Sequence, residues 1–244
     1  MTPQEEDRRQ VIAENLERVR GRVDRACAAA GRGPEEITII AVTKTFPLAD
    51  VVHLAALGLR AMGENRDGEA AVKVAQSREA GLHGIEWHFV GQVQRNKAAS
   101  IASYADVVHS VDRVPLVRAL DTAAGHAGRR LVGLVQVDLR EPTGADGRGG
   151  AAPEDVDAIA AAIEAAEHLV LGGVMAVAPL ADDPATTVRA FARLAEVSER
   201  LRATCPHATI VSAGMSGDLG VAIEHGATHL RVGTALLGSR PPLG

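Results

Sequence analysis

Of the 26 basic residues in this 244-residue sequence, only Lys44, Lys73 and Lys97 are lysines. Arginine fills nearly every other cationic position, so each lysine asks for its own explanation. A guanidinium keeps its proton, whereas a desolvated ammonium can lose one and become an amine that forms a Schiff base with a carbonyl compound. Lys44 is the most suggestive of the three. It is the first charged side chain after the apolar, β-branched run ITIIAV at residues 37–42, within Thr43-Lys44-Thr45-Phe46-Pro47. Lys73 reads as a helix-face position where chance retention suffices.

A second chemical signal lies near the C-terminus. One apolar run leads into Ser212-Ala213-Gly214-Met215-Ser216-Gly217-Asp218 and the next into Arg231-Val232-Gly233-Thr234. Glycines there let backbone N–H groups approach an anion, and Ser216 and Thr234 add hydroxyl donors. Either segment alone reads as an ordinary strand-to-helix turn, but the pair resembles a phosphate cup. In THLRVG, Leu230 and Val232 share one strand face, which leaves Arg231 on the other, directed inward. A buried cation needs an anionic or hydrogen-bonding partner. Gly63-Glu64-Asn65 and Glu86-Trp87-His88-Phe89-Val90 place further polar side chains, Asn65 and His88 among them, in otherwise apolar strands.

The elements that must position these groups follow a regular alternation. Residues 4–30 carry Ile12, Leu16, Val19, Val23, Cys27 and Ala30 at steps of three and four, an amphipathic helix stopped by Gly31-Arg32-Gly33-Pro34. Eight short apolar runs then follow, at 37–42, 59–63, 86–90, 106–111, 131–139, 169–177, 208–213 and 228–233, separated by helical segments. This pattern predicts an α/β fold, a single (β/α)8 TIM barrel with an extra N-terminal helix, and one domain over residues 1–244. An open doubly wound sheet is the alternative that pattern alone leaves. In a parallel barrel the functional residues sit where strands end, and Lys44, Asn65, Ser216 and Thr234 all lie there. The stretch GADGRGG at 144–150 is expected to be a mobile loop after the fifth strand.

Composition narrows the partners. The net charge is −5, with arginines scattered rather than striped, which argues against nucleic acid. The N-terminus MTPQEEDRRQ lacks the apolar core of a signal peptide, and no apolar run is long enough to span a bilayer, so a cytoplasmic protein with no membrane partner is expected. Cys27 and Cys205 lack the spacing of a zinc site, and no metal is expected.

AVTKTFP at 41–47, MGEN at 62–65, WHFVGQVQRNK at 87–97, GVMAV at 173–177, SAGMSGDL at 212–219 and RVGTALLG at 231–238 occur in the order of a known family. As a set they resemble the pyridoxal 5′-phosphate (PLP) homeostasis proteins, fold type III barrels similar to the barrel domain of alanine racemase. The resemblance covers nearly the whole chain. It implies that Lys44 carries PLP as an aldimine, that Ser216, Gly233 and Thr234 with the Met215 backbone hold the phosphate, and that Asn65 and Arg231 lie close to the ring. Asn96 and Lys97 belong to a motif near that site. Two positions depart from the family pattern: Arg66, where an aromatic residue commonly stands, and Ala213, where a larger one does. Loop 141–150 also lacks lysine, which bears on any secondary lysine-based PLP site.

The function implied is storage and delivery of PLP, with apo-PLP enzymes as recipients, a monomeric carrier and no catalytic residues. Three rivals stand beside it. A PLP-dependent racemase or decarboxylase would need a second acid/base group, commonly a tyrosine from an added domain, whereas Tyr104 is the one tyrosine here and precedes the fourth strand. A PLP-free Schiff-base aldolase or phosphosugar isomerase would suit the phosphate cup but leave the WHF and GMS segments unexplained. A regulatory or partner-binding module is compatible with PLP binding.

Overall fold

The first helix, α1 (Pro3–Ala30), begins with a reciprocal cap: Thr2 Oγ1 accepts from the Glu5 N–H at 3.3 Å, and Glu5 Oε2 accepts from the Thr2 N–H at 2.6 Å. It ends at Gly31, whose φ of 67° is the left-handed conformation that glycine adopts without penalty. Ile12, Leu16, Val19, Val23 and Cys27 form its buried stripe, as their spacing predicts. The computed structural model of the protein describes residues 2–140, 149–179 and 183–239. The expected mobile loop at 144–150 lies, but for Gly149 and Gly150, outside the described residues.

Eight parallel strands follow: β1 (Thr38–Val42), β2 (Ala61–Glu64), β3 (Glu86–Phe89), β4 (Val107–Val111), β5 (Leu131–Gln136), β6 (Leu169–Met175), β7 (Ile210–Ser212) and β8 (His229–Val232). Each pairs with the next, and β1 pairs with β8, so the barrel closes. The open-sheet alternative is thereby removed. The alternating helices are α2 (Leu48–Ala56), α3 (Asp67–Glu79), α4 (Ala98–Tyr104), α5 (Val114–His126), α6 (Val156–Glu164), α7 (Pro184–Thr204), α8 (Leu219–Glu224) and α9 (Thr234–Leu237). No helix among the described residues is long and apolar enough to cross a membrane.

Strand alternation sorts side chains into two layers. Leu230, Val232, Trp87 and Phe89 join the large apolar layer between strands and helices. Inside the barrel, Val107, Leu134 and Met175 form a separate small apolar cluster. Beside it stand polar groups, because Ile40 pairs with Arg231, and Gly63 with His88, on the inward face. Helix α1 packs chiefly on α8 and α9. Its polar side chains hold the chain there: Arg22 Nη2 donates to Ser216 O at 2.7 Å, Asn15 Nδ2 to Leu236 O at 2.8 Å and Arg8 Nη2 to Leu237 O at 3.0 Å.

Candidate functional site

Seven residues singled out in the sequence, Lys44, Asn65, Met215, Ser216, Arg231, Gly233 and Thr234, line one cavity of about 350 Å3 at the C-terminal mouth of the barrel. Val42, Val90, Val177 and Gly217 complete its wall. Strand ends explain the convergence: β1 delivers Lys44, β2 Asn65, and the segments after the paired strands β7 and β8 lie side by side at the mouth, next to β1. Two glycines make the packing possible. At Gly91 a Cβ would lie 2.3 Å from Asn65 O, so only glycine lets the end of β3 approach the Asn65 backbone. Gly214, at φ 89°, turns the chain from β7 into the Ser216 loop, where a Cβ would meet Ala222 at 2.7 Å.

Ser216 Oγ accepts from the Ala235 N–H at 3.3 Å, which ties the loops after β7 and β8 together. The Met215 N–H donates to Asp218 Oδ1 at 2.6 Å, so that backbone donor is already engaged within its own turn. Asn96 and Lys97 do not reach this cavity. Asn96 lines a different groove with Arg95, Arg118 and His126, and Lys97 pairs with Asp67 at 3.5 Å.

Arg231 is buried, as alternation predicts, and its partners are now explicit. Nη1 donates to Ser212 O and Ser212 Oγ, and Nη2 to Ala176 O, all at 2.7 Å. Burial lowers its guanidinium pKa to about 10, still cationic at neutral pH. Beyond Ser212 runs a chain that the sequence reading did not assemble. Ser212 Oγ lies 2.9 Å from His109 Nδ1, His109 Nε2 lies 2.9 Å from His88 Nδ1, and His88 Nε2 lies 3.0 Å from Glu86 Oε2.

The directions of these bonds follow from one end. A carboxylate only accepts, so His88 Nε2–H donates to Glu86, whose pKa that bond lowers. With that proton on Nε2, His88 Nδ1 is left to accept from His109 Nε2–H. His109 is neutral, because burial first, with the nearby Arg231 cation adding to it, drives its pKa well below the ordinary value. Its Nδ1 therefore accepts from the Ser212 hydroxyl, which in turn accepts from Arg231. Every link is satisfied by one assignment, with both imidazoles carrying their proton on Nε2.

A second buried network surrounds Lys44. Lys73 is no surface residue: its ammonium is buried and donates to Glu64 Oε1 at 2.6 Å, Thr43 O at 2.8 Å and Glu69 Oε1 at 3.1 Å. The expectation of chance retention therefore fails, for a buried arginine could not fit the same three acceptors with a compact head. Thr43 Oγ1 donates to Glu64 Oε1 as well, at 2.7 Å. Burial pushes the Glu64 carboxyl above the ordinary range, with Lys73 pulling it back. Thr45, a β-branched residue at φ 68°, holds a left-handed conformation that costs about 1–3 kcal/mol, and its N–H donates to Glu69 Oε1. Asn65 Oδ1 is buried without a hydrogen-bond partner.

The sequence profile described as the alanine racemase N-terminal domain matches residues 11–241. A pyridoxal phosphate homeostasis protein of Mycobacterium tuberculosis (strain H37Rv) is 44% identical, over 96% of this chain and 95% of its own. The chain belongs to the pyridoxal phosphate homeostasis protein family. Among solved structures, PipY of Synechococcus elongatus PCC7942 with PLP bound is similar at 34% identity and a TM-score of 0.80, covering 93% of this chain and all (100%) of that one. An alanine racemase of Clostridium difficile 630 shares the fold at 16% identity and a TM-score of 0.72, covering 96% of this chain and 57% of that one. The fold expected for this family, a closed eight-stranded barrel with an added N-terminal helix, is the one the strands build.

Proposed function

We propose that this protein binds PLP at the C-terminal mouth of its barrel, with Lys44 as the covalent anchor, and serves to store and deliver it without turning over amino acids. The single observation that carries this reading is convergence: an amine, two hydroxyls, a buried guanidinium and an unpartnered buried amide oxygen all meet at one cavity of about 350 Å3. That volume falls within the range of small-molecule and cofactor sites. When bound, PLP supplies an aldehyde carbon open to reversible capture by an amine and an electron-withdrawing ring.

The residues present fit such a group. Ser216 and Thr234 offer hydroxyl donors to a phosphate, with Gly233 leaving the backbone open beside them. Asn65, whose Oδ1 has no partner among the described residues, is suited to a polar substituent of the ring. Arg231 is held by Ser212 and Ala176 close to where the ring would rest, so its charge is fixed in place before any ligand arrives. Lys44, at the end of β1 and so next to the β8 strand that leads into Thr234, holds and releases the proton that capture and release of an aldehyde require.

The same cavity supports a carrier over a racemase or decarboxylase. Apart from Lys44 and Arg231, no residue in its described lining titrates. Tyr104 is on α4 instead, with its hydroxyl 3.4 Å from Asp67 Oδ1, and burial pushes its pKa up. Racemisation needs an acid/base group on each face of the substrate carbon, and no second one is placed here. Low catalytic competence and a single reversible anchor suit delivery of a reactive aldehyde to apo-enzymes, from a monomer in the cytoplasm.

The test begins with PLP-loaded protein, borohydride reduction and peptide mapping, which three lysines make unambiguous. The pyridoxyl label is expected on Lys44, and its recovery on Lys73 or Lys97 would overturn the assignment. Loaded protein is then incubated with L- and D-amino acids while chirality, CO2 and keto acids are followed, and separately mixed with an apo-PLP enzyme. Robust turnover abolished by Lys44→Ala would replace the carrier reading with an enzymatic one.

A further inference from the structure

We propose that Glu69 and Lys73 on α3 are positioning residues for Lys44, clamping the two peptide groups on either side of it; this rests on Lys44 being the PLP anchor. The geometry is specific to that residue. Lys73 Nζ donates to Thr43 O at 2.8 Å, the carbonyl of the peptide that enters Lys44. Glu69 Oε1 accepts from the Thr45 N–H, the donor of the peptide that leaves it. Lys73 and Glu69 are themselves joined at 3.1 Å, one helical turn apart on the same face, so one ion pair grips both peptide planes.

The clamp has a rigid foundation. Glu64 at the end of β2 receives both Lys73 Nζ and Thr43 Oγ1, which fastens the ion pair to the barrel wall. At the start of α3, Asp67 accepts from Ser100 Oγ at 2.6 Å and pairs with Lys97, which fixes the helix to α4. Thr45 shows why a clamp is needed. Its left-handed backbone would relax if nothing opposed it, since a β-branched residue strongly prefers negative φ. Relaxation would swing the Lys44 Cα and the stem of its side chain.

Lysine carries a flexible four-carbon stem, so the amine's placement against a phosphate bound in the cavity depends on where the Cα is held. Misplacement by about 1 Å can reduce a positioned reaction on the order of a hundredfold. Glu69 and Lys73 are not among the residues that line the cavity, and their proposed influence on capture runs through the backbone they hold. The scarcity of lysine explains itself on the same terms: two of the three lysines serve one site, one as anchor and one as its brace.

The experiment compares the full chain with Glu69→Ala and Glu69→Gln. Glu69 is partly exposed, 28% by side chain, so both variants leave the core intact. Three quantities are read: amide exchange at Thr45 in PLP-free protein by NMR, the rate of PLP capture by visible absorbance, and the acetylation of Lys44 by acetic anhydride. In Glu69→Ala, Thr45 exchange is expected to accelerate and capture to slow about tenfold, while acetylation, which has no orientation requirement, changes little. Glu69→Gln keeps an oxygen acceptor for the Thr45 N–H and is expected to restore both. Unchanged Thr45 exchange in Glu69→Ala, capture at the wild-type rate, or a Gln variant as slow as the Ala variant would each overturn the proposal. Failure of the wild-type protein to take up PLP on Lys44 would instead overturn the functional reading, and the Thr45 exchange would still decide whether the clamp exists.

Discussion

Acidification should loosen this barrel through His229, and the size of the effect can be worked out. His229 sits at the start of β8, its ring 6.3 Å from that of His88 and its Nδ1 2.9 Å from Thr228 Oγ1. Burial, opposed by Glu86, lowers its pKa from 6.5 to about 4. Between those two values the unfolded chain binds a proton that the folded chain refuses. Stability from the neutral imidazole is therefore complete above pH 6.5 and lost as pH falls towards 4, by about 2 kcal/mol at pH 5. His109, shifted in the same direction, adds to the loss. Glu86, shifted down, keeps its contribution until pH falls below its ordinary carboxylate range, while Glu64, shifted up, works in the opposite sense. A comparison with His229→Gln cancels those background groups. Urea unfolding at pH 7, 6 and 5 is expected to show the wild type losing about 2 kcal/mol relative to the variant across that range. A difference that stays flat with pH would refute the assignment of a neutral, buried His229.

Replacing Ser216 and Thr234 together with alanine should shorten PLP retention while leaving borohydride labelling of Lys44 in place, since each hydrogen bond to a charged phosphate contributes roughly 1.5–3 kcal/mol; dialysis followed by absorbance measures it, and unchanged retention would place the phosphate elsewhere. Long-range nitrogen–proton NMR at neutral pH should find His109 protonated at Nε2 alone, and a proton on its Nδ1 would break the Arg231–Ser212–His109–His88–Glu86 directionality.

The barrel was legible because each strand is an apolar run bounded by polar helix starts, and all eight runs became strands within a few residues of their expected ends. Short elements were less so. Helices α8 and α9 have six and four residues, too few for a 3.6-residue period to declare itself. Lys44 and Arg231 could be read one at a time, the first from its scarcity and strand end, the second from alternation with Leu230 and Val232. What escaped was pairing across the barrel. His109 and Ser212 are 103 residues apart and sit within runs that read as apolar, so nothing local marks them as partners. Lys73 looked like surface because a helix period places it one turn from Glu69 without revealing that Glu64 and Thr43 O close over it. Asn96 and Lys97 sit in a motif that also runs through β3, which suggested proximity to the cavity that the turn after β3 does not provide.

The three hydrogen bonds from α1 to the far end of the chain span 194, 221 and 229 residues. During synthesis α1 is therefore made with its apolar stripe bare, and it waits for α8 and α9 while almost the entire barrel is translated. At about 5–20 residues per second that interval is on the order of ten seconds or more, long compared with the collapse of a nascent chain. The Ser216 loop gains its Arg22 anchor only when this oldest helix closes on the newest segments. A half-made chain thus has Lys44 in place before the loops after β7 and β8, which we propose hold the phosphate, are made, and the cavity is complete only once β8 and α9 follow.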